Sequence, residues 1–122
     1  MTYLAISIGA VLGANVRYLL GGWVGEQAGS GFPWGTFVIN VSGSLVIGIV
    51  LGLAAERTVP PWWRPGIAVG FLGSYTTFST FSYETINLIR DGSYLAAVAN
   101  AGGSLVLSLV AVGIGLAIAR AV

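Results

Sequence analysis

The chain has no cysteine and no histidine, and only 7% of its 122 residues are charged. The first two absences remove disulfides, thiol chemistry, imidazole metal ligands and the side chain that most often shuttles protons near neutral pH. The third absence concerns solvent, because a soluble domain carries charge on about a quarter of its residues. The nine charges present are Arg17, Glu26, Glu56, Arg57, Arg64, Glu84, Arg90, Asp91 and Arg120, and the net charge of +1 argues against nucleic acid as a partner. No nucleophile–base pair, phosphate-cradling loop or acid pair stands out, so nothing points to an enzyme. The N-terminus lacks the basic stretch of a signal peptide and its apolar run continues to Leu20, so it reads as a retained span.

What is present is apolar, with 56% of residues hydrophobic. The charges leave uncharged runs at 1–16, 27–55, 65–83 and 92–119. A bilayer crossing takes about 20 apolar residues. The pattern therefore predicts an all-α integral membrane protein with one domain over 1–122 and four spans, near 3–21, 34–55, 66–89 and 94–119. Residues 22–33 read as a loop from their glycines and Pro33. Pro60, Pro61 and Pro65 halt the helix between the second and third spans. Trp23, Trp34, Trp62 and Trp63 fall at span ends, where indole suits the headgroup region.

Gly9 with Gly13, Gly48 with Gly52 and Gly66 with Gly70 are pairs spaced for close helix contact. Four short helices do not readily enclose a path, so these seams are expected to pack a dimer. Four spans place both termini on one side together with Arg57, Arg64 and Arg120, while Arg17 and Arg90 lie on the other. Three against two barely selects an orientation. A chain that inserts both ways can pair with its inverted twin.

The most unusual stretch is Gly70 to Thr85, GFLGSYTTFSTFSYET, in which nine of the last twelve residues carry hydroxyls. Lipid satisfies neither hydroxyls nor loosened backbone, so such a run at membrane depth should face protein or a wet pathway. Gly73 followed by Ser and Thr also weakens a helix, since these side chains compete for backbone hydrogen bonds. The third span is therefore read as broken, lining an ion path. Phe78 and Phe81 share one face, and Thr77, Thr80 and Glu84 a neighbouring stripe. Two Phe at this spacing are ordinarily packing, but here they stand among hydroxyls. Glu84, near the span end, is expected to be interfacial or partnered.

Three further positions keep two readings open. Thr36, Asn40, Gly43 and Ser44 share one face of the second span, and Asn40 is either a structural bond to a neighbouring helix or a pore-lining donor. Arg17 is either an anchor snorkelling beside Tyr18 or a fixed vestibule charge that concentrates anions. Asn100, Ser104 and Ser108 form a polar ladder on the fourth span, read here as a wet face, although a Ser can also bond back to its own helix.

The segments GANVRY (13–18), GTFVINVSG (35–43) and GFLGSYTTFSTFSYE (70–84) resemble the Fluc (CrcB-like) fluoride channels, and the likeness covers essentially the whole chain. One departure is Ser74, where the family commonly has a second glycine. The resemblance implies an antiparallel, dual-topology homodimer in the cell (inner) membrane that exports fluoride passively and so protects the cell from its toxicity. It implies two fluoride pathways and a structural Na+ at the dimer centre, held by backbone carbonyls that match Gly73 and Thr76. It places Asn40, Phe78, Phe81, Ser104 and Ser108 on the fluoride path, with Thr77, Ser79 and Thr80 as further contributors.

Two other classes fit the size. A small multidrug-type proton antiporter needs a titratable carboxylate within the membrane, typically on its first helix, and residues 1–16 hold no acid. A non-transporting assembly subunit would use its polar residues only to join helices.

Overall fold

The computed structural model describes residues 1–122, and all its regular structure is helical. Helix α1 spans Thr2–Ala28 and α2 spans Trp34–Glu56. A π-helix, Arg64–Leu72, then passes directly into a single α-turn, α3, Gly73–Tyr75. Helices α4, Phe78–Arg90, and α5, Tyr94–Ala121, complete the chain. Helices α1, α2 and α5 hold 27, 23 and 28 residues. At ~1.5 Å per residue they reach about 40, 35 and 42 Å, beyond the ~30 Å hydrocarbon core of a bilayer. All three are apolar enough to cross it.

The expected loop over 22–33 shrinks to a few residues, because α1 continues through Gly21, Gly22 and Gly25 to Ala28. Gly22 and Gly25 face open space, whereas Gly21 lies at a close approach of α2: a Cβ on Gly35 would strike the Gly21 carbonyl. The turn falls instead at Gly29, whose φ of 88° ends the helix in the left-handed region. The break in the third span also sits later than Gly73, which is helical at φ −63° and ψ −33°. Extended backbone occurs at Thr76 (φ −80°, ψ 157°) and Thr77 (φ −150°, ψ 119°). Thr77 then caps α4, its Oγ1 accepting from the Thr80 N–H at 3.3 Å.

The glycine seams expected to pack a dimer make close helix contacts within this chain. Gly9 and Gly13 of α1 lie against the Gly66 and Phe71 backbone, and Gly70 against Ile6 and Ala10. Gly48 of α2 lies against Val112 and Gly115 of α5, and Gly52 against Ala119. Small residues let these backbones approach, which is how helices associate where lipid removes the hydrophobic drive between them. Where α2 crosses the π-helix and α3, Ile39, Val50, Leu72 and Tyr75 form the buried core. Trp63 turns inward instead of joining the headgroup belt, its indole N–H donating to the Val50 carbonyl at 3.0 Å.

Only 16 of 122 residues are buried, and the chain exposes 7403 Å². A soluble protein of 12.5 kDa exposes about 6,200 Å². The excess is apolar, with Leu95 85%, Leu19 68% and Leu109 65% exposed. Such a surface requires lipid or another apolar partner.

Candidate functional site

The chain break and Asn40 form one unit. The Thr77 N–H donates to Asn40 Oδ1 at 2.8 Å, and Asn40 Nδ2 donates to the Thr77 carbonyl at 3.0 Å. This double bond decides which end of the amide faces which way, because the oxygen is held by the Thr77 N–H. One of the two amide N–H groups remains free. The structural reading of Asn40 therefore holds without excluding the donor reading: one edge of the amide clamps backbone, and the other has only a donor to offer.

That free edge borders a cleft of about 370 Å³, whose walls include Asn40, Thr77, Phe78, Phe81, Ser104 and Ser108. Six of the eight residues expected on an ion path thus meet around one space. The rings of Phe78 and Phe81 lie 5.7 Å apart at 48°. Phe78 is 79% exposed. Ser79 and Thr80 are outside this cleft. They gather instead at the start of α4, where Thr77 Oγ1 lies 3.4 Å from Ser79 Oγ and donates to Thr80 Oγ1 at 3.1 Å.

A wider cleft of about 760 Å³ adjoins it, with Arg17, Thr36, Thr77, Thr80 and Glu84 in its walls. Thr77 lines both clefts. Arg17 Nε is buried without a hydrogen-bond partner, and the one ion pair in the protein is Glu56 with Arg120, at 3.8 Å. Arg17 thus lines this cleft with no carboxylate in ion-pair distance. Glu84 is partnered as expected, accepting a hydrogen bond from the Thr36 hydroxyl.

Much of the hydroxyl run serves the backbone. Thr76, Ser82 and Thr85 donate to the carbonyls of Leu72, Phe78 and Phe81, each four residues earlier. Ser74 donates to the Gly70 and Ala10 carbonyls at 2.8 and 3.0 Å, tying the segment before the break to α1. A glycine at that position would lack this tie. Sequence reasoning missed two other contacts, because nothing in spacing reveals partners on different helices. Tyr75 and Ser42 meet at 2.9 Å, and Asn100 donates to Thr85 at 2.9 Å. Asn100 is 1% exposed, so the polar ladder of α5 is not wet throughout: Ser104 and Ser108 reach the cleft and Asn100 does not.

The break also frees carbonyl oxygens. In an unbroken helix the Thr77 N–H would bond Gly73 and the Thr80 N–H would bond Thr76. Here those donors go to Asn40 Oδ1 and Thr77 Oγ1. Neither the Thr77 N–H nor the Thr80 N–H therefore pairs with the Gly73 or Thr76 carbonyl as it would in a continuous helix. Unpaired mid-membrane carbonyls suit a hard cation, which prefers oxygen ligands.

The fold defines a multi-pass helical membrane protein, with Asn40, Thr77, Phe78, Phe81, Ser104 and Ser108 gathered around one cleft. The chain belongs to the CrcB family: residues 4–116 match the family model described as CrcB-like protein, Camphor Resistance (CrcB). It is 46% identical over 121 residues to a Solibacter usitatus protein named "Fluoride-specific ion channel FluC", covering 98% of this chain and 99% of that one. It is 45% identical over 119 residues to an Acidobacterium capsulatum protein of the same name, covering 97% and 95%. A Chloroflexus aurantiacus protein, again so named, is 44% identical over 118 residues, covering 96% and 94%.

Proposed function

We propose that this protein is a fluoride-selective ion channel that lets fluoride leave the cell passively and so protects against fluoride toxicity. The observation that carries this reading is the orientation of Asn40. Its oxygen accepts from the Thr77 N–H and one of its N–H groups donates to the Thr77 carbonyl, which leaves one N–H unpaired on a residue that lines the cleft with Phe81, Ser104 and Ser108. Fluoride is small and strongly hydrated, and a path must replace its water with donors. An amide N–H, the Ser108 hydroxyl and the positive edge of a phenyl ring can do this without a full charge. A cation fixed at mid-path would bind the ion too tightly to release it. Arg17, set back in the wider cleft, raises the local anion concentration at the entrance instead.

The functional unit in this reading is an antiparallel homodimer of dual topology, with four spans per chain. The π-helix, α3 and α4 together make the third span, broken at Thr76 and Thr77. The unfilled Gly73 and Thr76 carbonyls support a Na+ site shared by two copies, and Gly73 is exposed on the protomer surface where a copy could meet it. A cation bound there would supply diffuse positive potential to anions nearby. The apolar protomer surface and the outward Phe78 support the same assembly.

The test is fluoride efflux from liposomes holding the purified protein, followed with a fluoride electrode. Rapid efflux, with chloride retained, is expected. Electrically silent liposomes would favour an assembly subunit, and proton-coupled dye export would favour the multidrug-type exporter.

A further inference from the structure

Helix α4 carries both phenylalanines of the cleft, yet none of its residues is buried. It packs on the rest of the protomer chiefly through α5. The one side-chain hydrogen bond between these helices runs from Asn100 Nδ2 to Thr85 Oγ1, at 2.9 Å. Thr85 passes it on, donating to the Phe81 carbonyl at 2.8 Å. On its other side Asn100 Oδ1 accepts from the Ser104 hydroxyl at 3.4 Å. Three bonds therefore link Ser104, in one wall of the cleft, to the backbone of Phe81 in another. Neither Asn100 nor Thr85 lines the cleft itself.

An asparagine buried between two helices is costly unless paired, and inter-helix hydrogen bonds in membranes return little stability. What a buried polar pair supplies is register, because it is satisfied in one alignment of the helices and not in its neighbours. We propose that Asn100 is a positioning residue of the conduction path, holding α4 against α5 so that Phe81 faces Ser104 and Ser108 at a fixed separation. The inference rests on the fluoride-conduction reading. Weak donors replace a hydration shell only at contact distance, so a small slide of α4 opens a gap that nothing else fills.

Unitary fluoride currents in planar bilayers test this, because a folding defect lowers the number of channels and leaves each current intact. Asn100→Leu and Thr85→Val each remove one end of the tie at similar volume, and each is expected to cut the unitary current at least fivefold. Thr85→Ser retains the hydroxyl and is expected to stay within twofold of the parent. If Asn100→Leu fails to fold, Thr85→Val against Thr85→Ser carries the comparison alone. Parent-sized currents in the variants that lack the tie, or an equal loss in Thr85→Ser, overturn the inference while leaving fluoride conduction standing. No fluoride current from the parent protein overturns the reading beneath it.

Discussion

Asn40 and Thr77 hold each other through two hydrogen bonds, with amide oxygen to backbone N–H at 2.8 Å and amide nitrogen to backbone carbonyl at 3.0 Å. The pair does for the broken span what a neighbouring strand does for an extended segment, satisfying both groups of one residue at once. It also diverts the Thr77 N–H from Gly73, so the clamp that stabilises the break is what leaves a carbonyl available for a cation.

Asn40→Asp keeps the shape and reverses the chemistry. A carboxylate can still accept from the Thr77 N–H, but its second oxygen meets the Thr77 carbonyl and has no proton for the cleft. Fluoride efflux is expected to fall at least a hundredfold while size-exclusion chromatography shows an intact dimer. Efflux at the parent rate would falsify the donor role of Asn40.

Phe81→Ile replaces an aromatic edge with an aliphatic branch of comparable bulk. The cleft stays filled, and the electropositive ring edge is lost. We expect fluoride flux to fall at least tenfold with little change in thermal unfolding. Flux that survives while stability drops would instead make Phe81 a packing residue.

Gly115→Val probes the seam between α2 and α5. Any Cβ here meets the Leu45 carbonyl, the Ile49 N–H and Gly48 Cα, which are backbone and cannot swing aside. Overpacking of this kind costs about 1–3 kcal/mol. A clear drop in melting temperature in detergent is expected, and an unchanged melt would mean that the helices separate at no cost.

Sodium should stabilise the assembled protein if the Gly73 and Thr76 carbonyls bind it. A ligand held only by the folded state raises stability by about 1.4 kcal/mol for each tenfold excess over its dissociation constant. The melting temperature in NaCl is expected to exceed that in an equal concentration of N-methylglucamine chloride. Identical melts in the two salts would count against the site.

Several features were legible from residue order alone. Long uncharged runs require helices in lipid, and α1, α2 and α5 lie where those runs lie. The density of hydroxyls after Gly73 marked a span that does not continue as a simple helix. The exact point of rupture was not legible. Gly73 has the weaker intrinsic helix propensity, yet the chain parts at Thr76 and Thr77, because Asn40, 37 residues earlier in the chain, offers Thr77 a better partner than the helix does. The same limit applies to the glycine seams, since spacing says that a helix can be approached closely and not by which helix.

The amino-acid sequence by itself determined that this is a membrane protein of several helices, one of them interrupted by polar residues, because hydropathy and hydrogen-bonding capacity are properties of the residues themselves. Tertiary structure decided the rest: that the glycine pairs join α1 to the π-helix and α2 to α5, that Asn40 clamps both backbone groups of Thr77, and that Asn100 lies outside the cleft that Ser104 and Ser108 line. These outcomes depend on which polar groups meet in space, and a buried hydrogen bond is a property of a pair, which residue order alone does not specify.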